Sequence, residues 1–235
     1  MKVILLSTYD LGHQPFALAS LAASLSAKGA EVICNDLAVE PLNESALKTA
    51  RLIAVHLAMH TATRLALELL PRVKSVNQNA HICFFGLYAP MTEEILKTEK
   101  NITFIGGEFE PSISSLYNQL KKDKWTEENV IVTNHLKKHS FEIPVRTSLP
   151  PLESYAYLKE PSGDAKIVGY TEASRGCKHV CRHCPVVPIY GGRFFVVPVE
   201  IVMKDIRQLV KAGAQHLSLI HISEPTRLGM ISYAV

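Results

Sequence analysis

The chain has no second pair of closely spaced cysteines, no glycine-rich phosphate motif, no strong charge of either sign and no long apolar run. Each absence excludes something. Without an apolar stretch near the ~20 residues that a membrane helix needs, there is no candidate span and no membrane partner. Met1-Lys-Val-Ile-Leu-Leu6 turns polar at Ser7-Thr8-Tyr9-Asp10, which reads as a first strand and not as a signal peptide. A net charge of +3 is too small to argue for nucleic acid or a lipid surface. Neither GxGxxG nor a Walker motif is present, so nothing in the sequence points to a nucleotide. Five cysteines, an odd number, with no secretory signal speak against a disulfide framework and for a cytoplasmic location. The 235 residues, 47% of them hydrophobic, leave room for one full domain and part of another.

What stands out is Arg175-Gly-Cys-Lys-His-Val-Cys-Arg-His-Cys-Pro185, a CxxxCxxC run that places Cys177, Cys181 and Cys184 within eight residues. Three thiolates this close can hold three irons of a [4Fe–4S] cube and leave the fourth iron open to a small molecule. Zinc is the alternative, with His179 or His183 as fourth ligand. Cys34 and Cys83 lie in apolar, strand-like runs, where a thiol is a small buried hydrophobe.

From 1 to 135 strands and helices alternate. Continuous apolar runs at Lys2–Leu6, Glu31–Cys34, Leu52–Leu57, His81–Phe85 and Ile102–Ile105 read as strands buried on both faces. Between them lie a helix opened by Pro15 and ended by Gly29, a short one capped by Asn43, and Thr61–Val76, disturbed near Pro71. Helical turns at Thr92–Thr98 and a helix at Pro111–Lys121 follow. The order predicts an α/β fold, a flavodoxin-like doubly wound parallel sheet with its ligand beyond the carboxyl ends of the strands. The loops there nominate Tyr9, Asp10, His13, His60, Thr61, Gly86, Gly106, Gly107 and Glu108. His56 and His60 form an HxxxH pair split between a strand and the following loop, which favours cofactor lining by His60 over a shared metal. Prolines 144, 150, 151 and 161 mark 136–165 as an extended linker. Over 166–218 a strand, the cysteine loop and an amphipathic helix, Val199–Ala212, give the first βα unit of a β/α barrel. The apolar stripe of that helix is Val202, Ile206, Leu209 and Val210.

The cysteine loop resembles that of the radical S-adenosylmethionine enzymes. The doubly wound domain ahead of it is similar to the cobalamin-binding class of that superfamily. Phe104-Ile-Gly-Gly-Glu-Phe-Glu-Pro111 looks like the fifth-strand loop of that class, which lies along the corrin. Tyr170-Thr-Glu-Ala-Ser-Arg-Gly-Cys177, Gly191-Gly-Arg193 and Val197-Pro198 resemble the subgroup with a cysteine-containing C-terminal tail. The resemblance implies that Cys177, Cys181 and Cys184 ligate a [4Fe–4S] cluster. S-adenosylmethionine then chelates the open iron, and His183 packs on its adenine. It also implies a 5′-deoxyadenosyl radical, cobalamin for methyl transfer or rearrangement, and a reductant such as flavodoxin or ferredoxin. Where cobalt-coordinating domains have DxHxxG, this chain has Asp10-Leu-Gly-His13, so His13 is a poor cobalt ligand. Two other classes remain: a non-catalytic iron–sulfur or zinc redox sensor, and a cobalamin-binding module without catalysis.

The ending, residues 219–235, resembles a translated sequencing adapter and has no family motif. It is expected to be a non-native tail on a truncated barrel, leaving a fragment inactive as an enzyme.

Overall fold

A computed structural model describes residues 1–96, 99–124 and 132–219, with 132–135 traced as backbone. The first part runs β1 (Lys2–Ser7), α1 (Phe16–Ser26), β2 (Glu31–Asp36), α2 (Glu44–Thr49), β3 (Leu52–His56), α3 (His60–Val76), β4 (His81–Phe85), α4 (Glu93–Leu96), β5 (Ile102–Gly107), α5 (Phe109–Lys121) and β6 (Val132–His135). The strands form one parallel sheet in the order β2-β1-β3-β4-β5-β6. This is the doubly wound fold the alternation predicts, with a sixth, edge strand that it does not. Because side chains alternate along a strand, one run feeds two cores. Val3 and Leu5 of β1 join Ala54, Cys83 and Phe85 under α1 and α5. Ile4 and Leu6 join Ile53, Val55, Ile82 and Phe84 under α2 and α3.

Three local expectations change. The α3 helix is unbroken through Pro71, because that ring sits on the exposed side, away from the core. His60, expected in a loop, is the first residue of α3 and is exposed. The segment 136–165 is not a free surface linker. Leu149 is buried in the core under α1, Leu152 and Tyr155 are buried, and the Val145 amide donates to the Ala19 carbonyl at 2.9 Å. A chain cut after residue 135 is therefore expected to be less stable than one cut after residue 156. Burying side chains such as Leu149, Leu152 and Tyr155 contributes about 1.5–3 kcal/mol each. Urea unfolding of the two lengths checks this.

The second part runs β7 (Tyr157–Lys159), β8 (Ala165–Tyr170), β9 (Ser174–Gly176), α6 (Val186–Tyr190), β10 (Phe194–Val196), α7 (Val199–Lys211) and β11 (His216–Ser218). β8 and β11 are parallel neighbours with α7 between them in sequence, the βα unit expected of a barrel. β7 lies antiparallel on the other edge of β8, and β9 and β10 form a separate hairpin. The inner face of α7 is Val202, Asp205 and Leu209, whereas Val210 is 56% exposed. The apolar stripe misleads there because Asp205 is buried by pairing with Arg146, its carboxylate accepting two bonds of 2.7 Å. Of the expected foreign tail, 220–235 lies outside the described residues.

Candidate cofactor site at the carboxyl ends of the strands

The cysteine loop leaves β9 and returns through β10. Gly176 starts it at φ +75°, where a Cβ would stand 2.3 Å from the Arg193 carbonyl oxygen, so only glycine fits. The Cys177 amide donates to that carbonyl at 3.1 Å, and the Cys184 amide to the Cys181 carbonyl at 3.3 Å. All five cysteines are free thiols. Cys181 is exposed, Cys177 and Cys184 are half-buried, and Cys34 and Cys83 are buried. Burial pushes the Cys34 thiol up to about 11 and raises Cys83 further, so neither is a ready thiolate. His183 is exposed at the turn before Cys184.

The loop is anchored by Arg175, which is only 6% exposed. Its Nη1 donates to Glu110 at 2.8 Å and to Glu108 at 3.4 Å, its Nε to Glu172 at 3.0 Å and its Nη2 to Ser20 at 3.2 Å. A second contact, Nη2 to Glu110 Oε1 at 2.8 Å, makes the Glu110 pairing two-pronged. The guanidinium also lies over the rings of Phe109, Phe141 and Phe16. Burial works against its charge, but Glu110, Glu172 and Glu108 outweigh that. On Glu110, burial raises the carboxyl, yet Arg175 and Ser20 hold it below its ordinary value. Glu108, fully buried, is pushed up to about 7, chiefly by burial and against the pull of Arg175. Tyr190 donates to Glu108 at 2.9 Å.

Above this cluster, between the strand ends and the loop, lies a cavity of about 130 Å³. Asp10, Gly86 and Gly107 of the nominated residues line it; Tyr9, His13, His60, Thr61, Gly106 and Glu108 are not among its lining residues. His13 stacks on Tyr170 instead, centroids 5.1 Å apart. His60 stands exposed at the start of α3, and Glu108 is taken up by Arg175 and Tyr190. The histidine in the cavity wall is His56, pushed down to about 4 by burial and by Arg175, hence neutral. Asp10 is pushed up to about 8 by burial, then by Glu172 and Asp36. Arg175, Glu110, Tyr190 and His56 were not legible as site residues. The available signals were the HxxxH pair for His56, the Phe104–Pro111 stretch that contains Glu110, and the arginine two places before the first cysteine.

Two structures of the methyltransferase TsrM from Kitasatospora setae share this architecture. Each match covers 92% of this chain, at 15% identity, with TM-scores of 0.62 and 0.64. The likeness is one of fold alone. One TsrM structure holds tryptophan and an S-adenosylmethionine analogue, the other cobalamin and a [4Fe–4S] cluster. Among curated proteins, the ribosomal protein uS12 methylthiotransferase RimO of Cellvibrio japonicus is 25% identical over 153 residues. The tRNA-2-methylthio-N(6)-dimethylallyladenosine synthase of Bdellovibrio bacteriovorus is 28% identical over 128. No family model matches the chain. The chain spans 28% and 24% of these two curated proteins and 46–47% of TsrM.

Proposed function

We propose that this chain carries the cofactor-binding portion of a radical S-adenosylmethionine enzyme, with Cys177, Cys181 and Cys184 as the ligands of a [4Fe–4S] cluster. The supporting observation is one loop with three free thiols, set against the strand ends of a fold shared with TsrM. Three thiolates suit a cube with one open iron. Held there, such a cluster would supply the one electron that splits S-adenosylmethionine into methionine and a 5′-deoxyadenosyl radical. The chain's own task is to hold the thiolates in place, offer His183 to the adenine, and accept a reductant such as flavodoxin or ferredoxin at the exposed Cys181 side.

Cobalamin is the candidate ligand of the cleft beside Asp10, Gly86 and Gly107. A corrin is far larger than about 130 Å³, so its entry requires the second part to draw back from the strand ends. With His13 stacked on Tyr170, the cobalt would gain no histidine from that loop. Anaerobic reconstitution with iron and sulfide tests the cluster. Uptake of about four irons per chain is expected. Alanine at any of Cys177, Cys181 or Cys184 should abolish it, while alanine at Cys34 or Cys83 should not. Stoichiometric zinc with no iron would instead favour a zinc sensor, and a full cluster that never cleaves S-adenosylmethionine would favour an iron–sulfur sensor.

A further inference from the structure

Both ends of the cysteine loop are tied to a single turn of the sheet domain. Arg175, two residues before Cys177, reaches Glu108 and Glu110. Tyr190, six residues after Cys184, reaches the other oxygen of Glu108 at 2.9 Å. These carboxylates flank Phe109, where β5 passes into α5. From 177 to 185 the loop forms no helix or strand, and its residues are half-buried or exposed. Its shape is therefore set mostly at its roots. Arg175 is suited to set it, because a planar guanidinium fixes direction as well as distance where a lysine would fix only charge.

We infer that Arg175 is a positioning residue for the metal loop: held by Glu108 and Glu110, it makes the sheet domain determine where Cys177 and Cys184 stand. This deepens the cluster reading and rests on it for its purpose. The geometry also sets a route of influence. Arg175, Gly176 and Tyr190 line the same cavity as Gly86 and Gly107, so a molecule filling the cavity presses on both roots of the loop.

The test uses the full, iron-free chain under anaerobic conditions, reading iodoacetamide alkylation of each cysteine by peptide mass spectrometry. In Glu110→Gln, Cys177 and Cys184 should react on the order of tenfold faster, as expected when a local anchor opens without global unfolding. Cys181, already exposed, should change less than about twofold, and the buried Cys34 and Cys83 should stay protected. Tyr190→Phe, which removes one hydroxyl, should give the same pattern more weakly and carries the test if Glu110→Gln does not fold. Asp205→Asn loosens α7 from Arg146 and should leave all five rates unchanged. Unchanged rates at Cys177 and Cys184, or a parallel rise at Cys34 and Cys83, would overturn the inference. After reconstitution, Glu110→Gln should also shift the midpoint potential of the cluster, whereas Asp205→Asn should not. A native chain that shows the alkylation pattern but takes up no iron would defeat the cluster reading and leave the anchoring intact.

Discussion

Arg175→Met is expected to cost about 3–5 kcal/mol of folding stability. The cost does not come mainly from the lost attraction. It comes from what remains: Glu108 is fully buried, Glu110 nearly so and Glu172 beside them, all three having lost the guanidinium they share, with His139 3.8 Å from Glu108 and Glu110. Three aromatic rings, Phe16, Phe109 and Phe141, would face a thioether in place of the guanidinium. Urea unfolding of the native chain and the variant reads the difference. Arg64, exposed and paired with Glu68 one helical turn on, is the comparison. Arg64→Met should move the midpoint by well under 1 kcal/mol equivalent. Combining Arg175→Met with Glu110→Leu should cost less than the sum of the two, with a coupling of about 0.5–3 kcal/mol. Simple additivity would mean that the two side chains do not act as a pair.

The second large effect is on pH. Asp10 has an ordinary carboxyl value of 3.8 in the unfolded chain and about 8 in the fold, through burial and then Glu172 and Asp36. The folded form keeps a proton that the unfolded form gives up, so stability falls as pH rises through that window and levels off above about 8. Glu108 behaves likewise up to about 7. His56 and His81 run the other way. Burial holds both near 4, so stability is lost as pH falls from 6.5 toward 4. Below 6.5 the carboxyls and histidines offset one another; from 6.5 to 8 the carboxyls act alone. The chain should lose about 2 kcal/mol over that interval, at about 1.4 kcal/mol per pH unit for each group still titrating. Asp10→Asn should flatten the profile and be the more stable protein at pH 8. A variant with the native slope would show that Asp10 is already ionised in the fold.

Five strands were legible as apolar runs; in the four central ones, β1, β3, β4 and β5, burial on both faces explains the run, as in Lys2–Leu6 and His81–Phe85. β6 was not read, although Val130-Ile131-Val132-Thr133 is a β-branched run in the sequence; the run is short, turns polar at Asn134, and β6 pairs with β5 at the sheet edge. Periodicity misjudged α7 for a related reason. It counts Asp205 as outward-facing, and only the position of Arg146, far off in sequence, turns that carboxylate inward. The same holds for the site. The spacing of Cys177, Cys181 and Cys184 is local and can be read directly. The contact of Arg175 with Glu108 and Glu110 spans more than sixty residues and depends on how two parts of the chain meet. His56 over His13 in the cavity wall is a matter of which strand end the second part covers.

The packing of Val145 and Leu149 onto α1 also bears on how the protein is made. A ribosome releases residues 16–26 long before residues 145–149, and domains tend to fold as they emerge. Here the strands and helices through α5 are out while α1 still lacks its outer cover, and Ala19 has yet to receive the amide of Val145. The nascent sheet thus waits, with an apolar helix face open, for the stretch that leads into the cysteine loop. Slowing translation just before residue 145 should prolong that exposure and draw chaperones to α1.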